Sequence, residues 1–189
     1  MAEAAEPSEE ALIEAACALE TDAWATIYER HYRQVYAYSY HRVGSREAAE
    51  DLASEVFTRA LAGIRSYRYR GRPLLAWLYR IAHNLTSDYL RRRARWSDSV
   101  AEEDTLAVAD PELEGVPLRQ DLLRALRSLS RDQQQVVILR LLQGFNNDEI
   151  GAILGKNQGA IRALQCRAMA ALRRRLSERT APPGARGRS

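Results

Sequence analysis

The stretch Asn146–Leu164, NNDEIGAILGKNQGAIRAL, decides the fold. Asn146-Asn147-Asp148-Glu149 is a helix-start signature, with Asn146 as the cap and Glu149 at the third position. Ile150, Ile153 and Leu154 follow at helical spacing. Gly155 stands where a tight turn needs a positive φ, which glycine adopts at little cost. A second helix is expected from Gln158 to about Leu176, with Ile150, Leu154, Ile161 and Leu164 as the buried seam. Gly151 is small where two helix backbones must cross closely. This pattern predicts a helix-turn-helix. Its second helix exposes Gln158, Arg162, Gln165, Arg167, Arg173 and Arg174, and its first turns suit a major groove, where Arg and Gln read base edges. Lys156 follows the turn glycine where an apolar residue is usual, but its aliphatic stem can cover the seam. Apolar spacing alone also fits an ordinary helical hairpin; the glycines, the cap and the basic second helix favour the helix-turn-helix.

Working outward, Ser130-Arg131-Asp132-Gln133 reads as a capping box, with Ser130 as cap. Val136–Leu142 is the most apolar run and is expected as a buried helix. Leu118–Leu129 is amphipathic. Residues 97–117 hold seven acids, no base, two prolines and one glycine, and read as a flexible linker. A helix is expected over Leu74–Arg95, with Leu74, Trp77, Leu78, Ile81, Leu85 and Tyr89 on one side. Before it, Ser66–Pro73 reads as a loop. Leu52, Val56, Phe57, Ala60, Leu61 and Ile64 recur at helical spacing. Gly44-Ser45 reads as a stop and a new cap, and Ser8 caps a helix, or two, reaching to Val43. Residues 181–189 read as a disordered tail. No strand alternation or hairpin signal occurs. The expected fold is all-α: two small helical domains, 1–96 and 118–180, joined by a flexible acidic linker over 97–117, the second containing the helix-turn-helix.

Charge follows the same division. The net charge is only +3. Residues 1–23 carry −7, 24–96 carry +8, 97–117 carry −7 and 118–189 carry +9. Two basic blocks, each preceded by an acidic segment, argue against a neutral surface and against a purely acidic partner. Lys156 is the one lysine; the other bases are arginine, whose planar fork suits phosphate. Arg65–Arg72, RSYRYRGR, alternates aromatics with arginines, a pattern in which rings stack on unpaired bases while arginines hold phosphates. Trp77, Tyr79, Arg80, His83, Asn84 and Asp88 follow on the next helix, which ends in Arg91-Arg92-Arg93-Ala94-Arg95. A solvated loop and a basic helix end complementing the dipole is the plainer alternative.

Catalytic signatures do not assemble. His31, His41 and His83 are scattered, no HExxH, GxxxxGK[ST] or GxGxxG occurs, and Cys17 and Cys166 have no metal spacing. No enzyme activity, cofactor or metal is expected. Two cysteines, no basic leader and no long apolar run suggest a cytoplasmic protein without membrane insertion.

Three segments together resemble the extracytoplasmic-function (ECF) sigma factors of bacterial RNA polymerase: Ala49–Leu61 (AEDLASEVFTRAL), Leu74–Arg95 (LLAWLYRIAHNLTSDYLRRRAR) and Asp148–Arg174 (DEIGAILGKNQGAIRALQCRAMAALRR). The resemblance runs from about Ala23 to Leu176. It implies a subunit that binds core polymerase, recognises −10 and −35 promoter elements and promotes initiation. It assigns Asp51, Leu52, Glu55 and Phe57 to the β′ interface or its support, and the helices before the helix-turn-helix to the β flap. It assigns −10 DNA to the loop Ser66–Arg72, with Tyr67, Arg68, Tyr69, Arg70 and Arg72 capturing an unstacked base, and to Asn84 and Asp88; Trp77, Arg80, Arg91 and Arg92 on the same helix are expected to join them. It assigns −35 DNA to Arg162, Ala163, Cys166 and Arg167, and Lys156, Gln158 and Gln165 are expected beside them. An anti-sigma factor is a further expected partner. Ser54, His83 and Lys156 depart from the family's common residues and leave the −10 preference open. On the residues alone, a two-domain transcription regulator and a small helical enzyme remain alternatives.

Overall fold

In this computed structural model the described residues are 8–96, 126, 128–141 and 143–180. The expected linker 97–117, the tail 181–189 and nearly all of Leu118–Leu129 lie outside them. The chain divides into two compact units, Met1–Ala107 and Val108–Ser189. Every regular element among the described residues is helical.

The first unit holds α1 (Glu9–Cys17), α2 (Thr21–Val43), α3 (Arg46–Gly63), a 3₁₀ turn (Ile64–Ser66) and α4 (Leu74–Trp96). Local chemistry sets the boundaries. Ser8 Oγ accepts from the Ala11 N–H, with Glu9 and Glu10 in the first turn, where acids complement the helix dipole. Gly44 ends α2 at φ 70°, and Ser45 Oγ then accepts from the Ala48 N–H to start α3.

Helices α2, α3 and α4 pack on one another. Ala49, Ala53, Val56 and Ala60 form a buried, mostly small-residue stripe along α3 that lets its neighbours approach closely. Ile27, Val35 and Tyr38 of α2 and Leu74, Leu78, Tyr79, Ala82 and Leu85 of α4 complete the core. Each large aliphatic buried there contributes about 1.5–3 kcal/mol. Leu61 departs from the expected buried stripe and is 42% exposed. On α4 the buried face carries Ala76, Tyr79, Ala82 and Thr86, while Trp77, Ile81 and Tyr89 are half-buried. Tyr79 is therefore a core residue; its hydroxyl donates to the Gln34 carbonyl at 3.3 Å.

The second unit holds α5 (Arg131–Leu141), α6 (Asn147–Leu154) and α7 (Gln158–Thr180). The Ser130 capping box is present: Gln133 Oε1 accepts from the Ser130 N–H and Ser130 Oγ from the Gln133 N–H. Val136, Val137 and Leu139 of α5 are buried, whereas Leu141 is 64% exposed. Leu129, Val137, Ala168 and Leu172 form one cluster, with Leu126 and Ala171 packed against it.

Candidate nucleic-acid and polymerase interface

The helix-turn-helix consists of α6, the turn at Gly155 and α7. Asn146 Oδ1 accepts from the Asp148 and Glu149 N–H groups, and Glu149 Oε2 accepts from the Asn146 N–H at 2.7 Å. Gly155 takes φ 66°. The seam holds Ile150, Ile153, Leu154, Ile161 and Ala168, all buried. Leu164, expected in it, is only half-buried, because the contact surface of α7 runs through positions 161 and 168. Gly151 is small for a different reason than the crossing of two helices. A Cβ there would lie 2.7 Å from the Lys156 carbonyl oxygen, so the turn itself needs the space.

Arg162, Ala163, Cys166 and Arg167 are exposed along one face of α7. Arg167 Nε donates to its own helix at the Ala163 carbonyl, 3.2 Å away. The expected glutamines are held from behind. Gln158 Nε2 donates to Asp148 Oδ1 at 2.9 Å. A carboxylate only accepts, so this contact fixes the orientation of the Gln158 amide. Gln165, half-buried rather than exposed, donates to Asn147 Oδ1 at 2.8 Å. Lys156 places its Nζ 2.9 Å from Asp132 Oδ2 at the start of α5. Its charge already has a partner, which weakens it as a phosphate contact and ties the turn to α5.

In the first unit, the loop after α3 exposes Arg65, Arg68, Arg70 and Arg72. Gly71 takes φ 69°. Tyr67 lies against Trp77, ring centroids 4.7 Å apart and tilted 40°. Burial, with the Glu9 charge adding to it, pushes the Tyr67 phenol above its usual range. Tyr69 is 37% exposed. Arg80, Asn84 and Asp88 follow at four-residue spacing, which is one face of α4. Arg80 and Asn84 are exposed, and Arg91 pairs with Asp88. His83 is tied inward, its Nδ1 3.3 Å from the Tyr38 hydroxyl.

On α3, Asp51 is exposed and Glu55 is half-buried and paired with Arg59 at 2.7 Å. Leu52 and Phe57 are 7% and 4% exposed. Both side chains belong to the packed face of α3.

Three contacts were not read from the sequence. Tyr28, Tyr32, Tyr36 and Tyr40 stack in succession along α2, and Phe57 of α3 packs against Tyr28 and Tyr32. Their four-residue spacing was the available signal. Glu9 and Cys17 of α1 both bond to the arginine-rich loop or its ends, with no sequence signal at such separations. Among the described residues, no group of three His, Cys, Asp or Glu could hold a metal ion, and no helix is long and apolar enough to cross a membrane.

Comparison with known proteins matches the Sigma-70 region 2 family over residues 27–96 and the Sigma-70 region 4 family over residues 119–172. The chain is 41% identical over 173 residues to the ECF RNA polymerase sigma factor BldN of Streptomyces coelicolor, covering 88% of this chain and 65% of BldN, just under two thirds of that relative's length. It is 35% identical to the RNA polymerase sigma factor CarQ of Myxococcus xanthus, covering 83% of this chain and 91% of CarQ. Among solved structures, the sigma factor RpoE of Bartonella quintana, in complex with the anti-sigma factor NepR, superimposes with a TM-score of 0.70. That match has 28% identity and covers 83% of this chain and 98% of RpoE.

Proposed function

Because the chain belongs to the ECF group of the sigma-70 family, we infer that it is a promoter-specificity subunit of bacterial RNA polymerase. It binds core enzyme through the β and β′ subunits, recognises −10 and −35 elements and promotes initiation. The observation that carries this reading is the pairing of two units on one chain: a helix-turn-helix with exposed arginines, and a helical unit with an arginine–tyrosine loop.

The roles divide as follows. Residues 1–96 serve polymerase binding and the −10 element, 97–117 connect, and 118–180 read the −35 element. Asp51 and Glu55 meet the β′ subunit, supported from beneath by Leu52 and Phe57. Tyr67 and Tyr69 receive an unstacked −10 base, with Trp77 as the floor. Unstacking costs a few kcal/mol, and the loop offsets that cost by stacking and hydrogen bonding. Arg68, Arg70, Arg72, Arg80, Arg91 and Arg92 hold phosphates, while Asn84 and Asp88 face base edges. Arg162 and Arg167 read −35 bases, beside Ala163 and Cys166. Gln158, Gln165 and Lys156 line that surface with their far ends held by the domain. Sigma factors are generally non-catalytic regulators, and this chain adds specificity to a catalyst supplied by polymerase. An anti-sigma factor, of the kind bound to RpoE in its structure, is the expected regulator.

Reconstitution with core polymerase and mapping of initiation sites tests this reading. Promoter-dependent starts that need the chain are expected. Binding to duplex operator DNA without any dependence on core enzyme would instead indicate a conventional repressor or activator.

A further inference from the structure

We propose that α1 is a brace for the base-capture loop, with Glu9 and Cys17 as its positioning residues. This rests on the base-capture role given to that loop above. The loop between α3 and α4 begins at Ile64 and ends at Pro73, and both of its ends are tied to the same distant helix. At the first end, Cys17 Sγ donates to the Ile64 carbonyl at 3.2 Å, across 47 residues of chain. At the other, Glu9 Oε1 accepts from the Leu74 N–H at 2.8 Å, across 65 residues.

The second tie meets a local need. Leu74 opens α4, and its N–H is one of the four that a helix leaves without an intrahelical partner. Pro73 before it has no side-chain acceptor. Glu9 supplies the cap from another helix, and its charge suits the positive end of the α4 dipole. Leu12, Ile13 and Ala16 are buried beneath α1, so the brace is anchored in the core and not merely laid on the surface. Between the two ties stand Tyr67, packed on Trp77, and the exposed Tyr69. A loop already held in its binding shape loses less freedom when it takes up a base, which raises affinity without any new contact. Helix α1 lies ahead of residue 27, where the region 2 match begins.

The test uses the full chain reconstituted with core polymerase and two fork templates of the mapped promoter. One carries single-stranded −10 bases and the other carries abasic sites in their place. The readout is the ratio of the two affinities, which isolates base capture from general DNA binding. Tyr67→Ala is the control for the base-capture role and lowers the ratio. Glu9→Ala lowers it by about fivefold, the size of one helix-cap interaction, while Glu9→Gln, which keeps an acceptor oxygen, retains most of it. Cys17→Ala lowers it in the same direction, and Cys17→Ser, which keeps a donor, less so. Affinity for core polymerase is unchanged in all four. An unchanged ratio in both Glu9→Ala and Cys17→Ala, with Tyr67→Ala still lowering it, overturns the brace. Equal losses on both templates also overturn it, since they mean general destabilisation. An unchanged ratio in Tyr67→Ala overturns base capture itself, and the brace falls with it.

Discussion

Gly151 has no room for a side chain, because the Lys156 carbonyl oxygen occupies the place of its Cβ. Gly151→Ala should destabilise the second unit by about 1–3 kcal/mol, the range for forcing an extra methyl into packed structure, as read by urea unfolding. Gly155→Ala meets open space but keeps φ 66°, so its cost is smaller, about 1 kcal/mol from backbone strain alone. The sequence exposed the need for both glycines; it misattributed the first, because the close partner is a carbonyl brought near only by the turn. On α7, Arg162→Ala or Arg167→Ala should weaken −35-dependent initiation by about 1–3 kcal/mol if the side chain reads a base bidentately. Unchanged promoter profiles for both variants would remove these residues from the −35 surface. His31 carries a pH prediction. Burial lowers its pKa from the ordinary 6.5, against a hydrogen bond that the ring donates to Gln34 Oε1, which raises it. Protonation therefore favours the unfolded chain: no stability is lost above pH 6.5, and stability declines as pH falls below it. His31→Gln should flatten that part of the thermal-melting profile.

Elements were legible wherever their signals are local. The caps at Ser8, Ser45, Ser130 and Asn146 form within three residues of themselves, so spacing alone reveals them. Faces were less legible. Leu61 and Leu164 share the helical spacing of their neighbours, yet they fall at the edge of the stripe that the partner helices cover. The tyrosine ladder of α2 packs against Phe57 only because α3 lies alongside. The loop after α3 was read as a set of stacking rings, but the two tyrosines are not equivalent. Tyr67 rests on Trp77, while Tyr69 is open. Tyr67→Ala should therefore remove a ring held in place on Trp77, and Tyr69→Ala a ring that is open to solvent. Both should slow promoter opening more than closed-complex binding, with Tyr67→Ala the more severe. A pre-melted template should relieve most of either defect; if it does not, the loop does not act on unpaired bases.

For the molecule as a whole, the net charge of +3 conceals two basic blocks of +8 and +9. On the proposed function each reader should bind weakly alone, and core enzyme, by fixing their separation, should raise the effective concentration of the second reader once the first is bound. The free chain should thus bind promoter DNA far less tightly than the reconstituted holoenzyme, as measured by titration at physiological salt. Tight and specific binding by the isolated chain would contradict this. The sequence by itself determined the helical class, the capped helix starts at Ser8, Ser45, Ser130 and Asn146, the division of charge and the helix-turn-helix, because each depends on residues within a few positions of one another; the break between Cys17 and Thr21, where no side chain caps the second helix, was not located. The tertiary structure alone decided which side chains of those helices are surface and which are support. It buried Leu52, Phe57 and Tyr79, turned Gln158 and Gln165 toward α6, paired Lys156 with Asp132 and set Glu9 and Cys17 against a loop far along the chain. Those outcomes depend on which helix faces meet, and helical spacing specifies a face without specifying its partner.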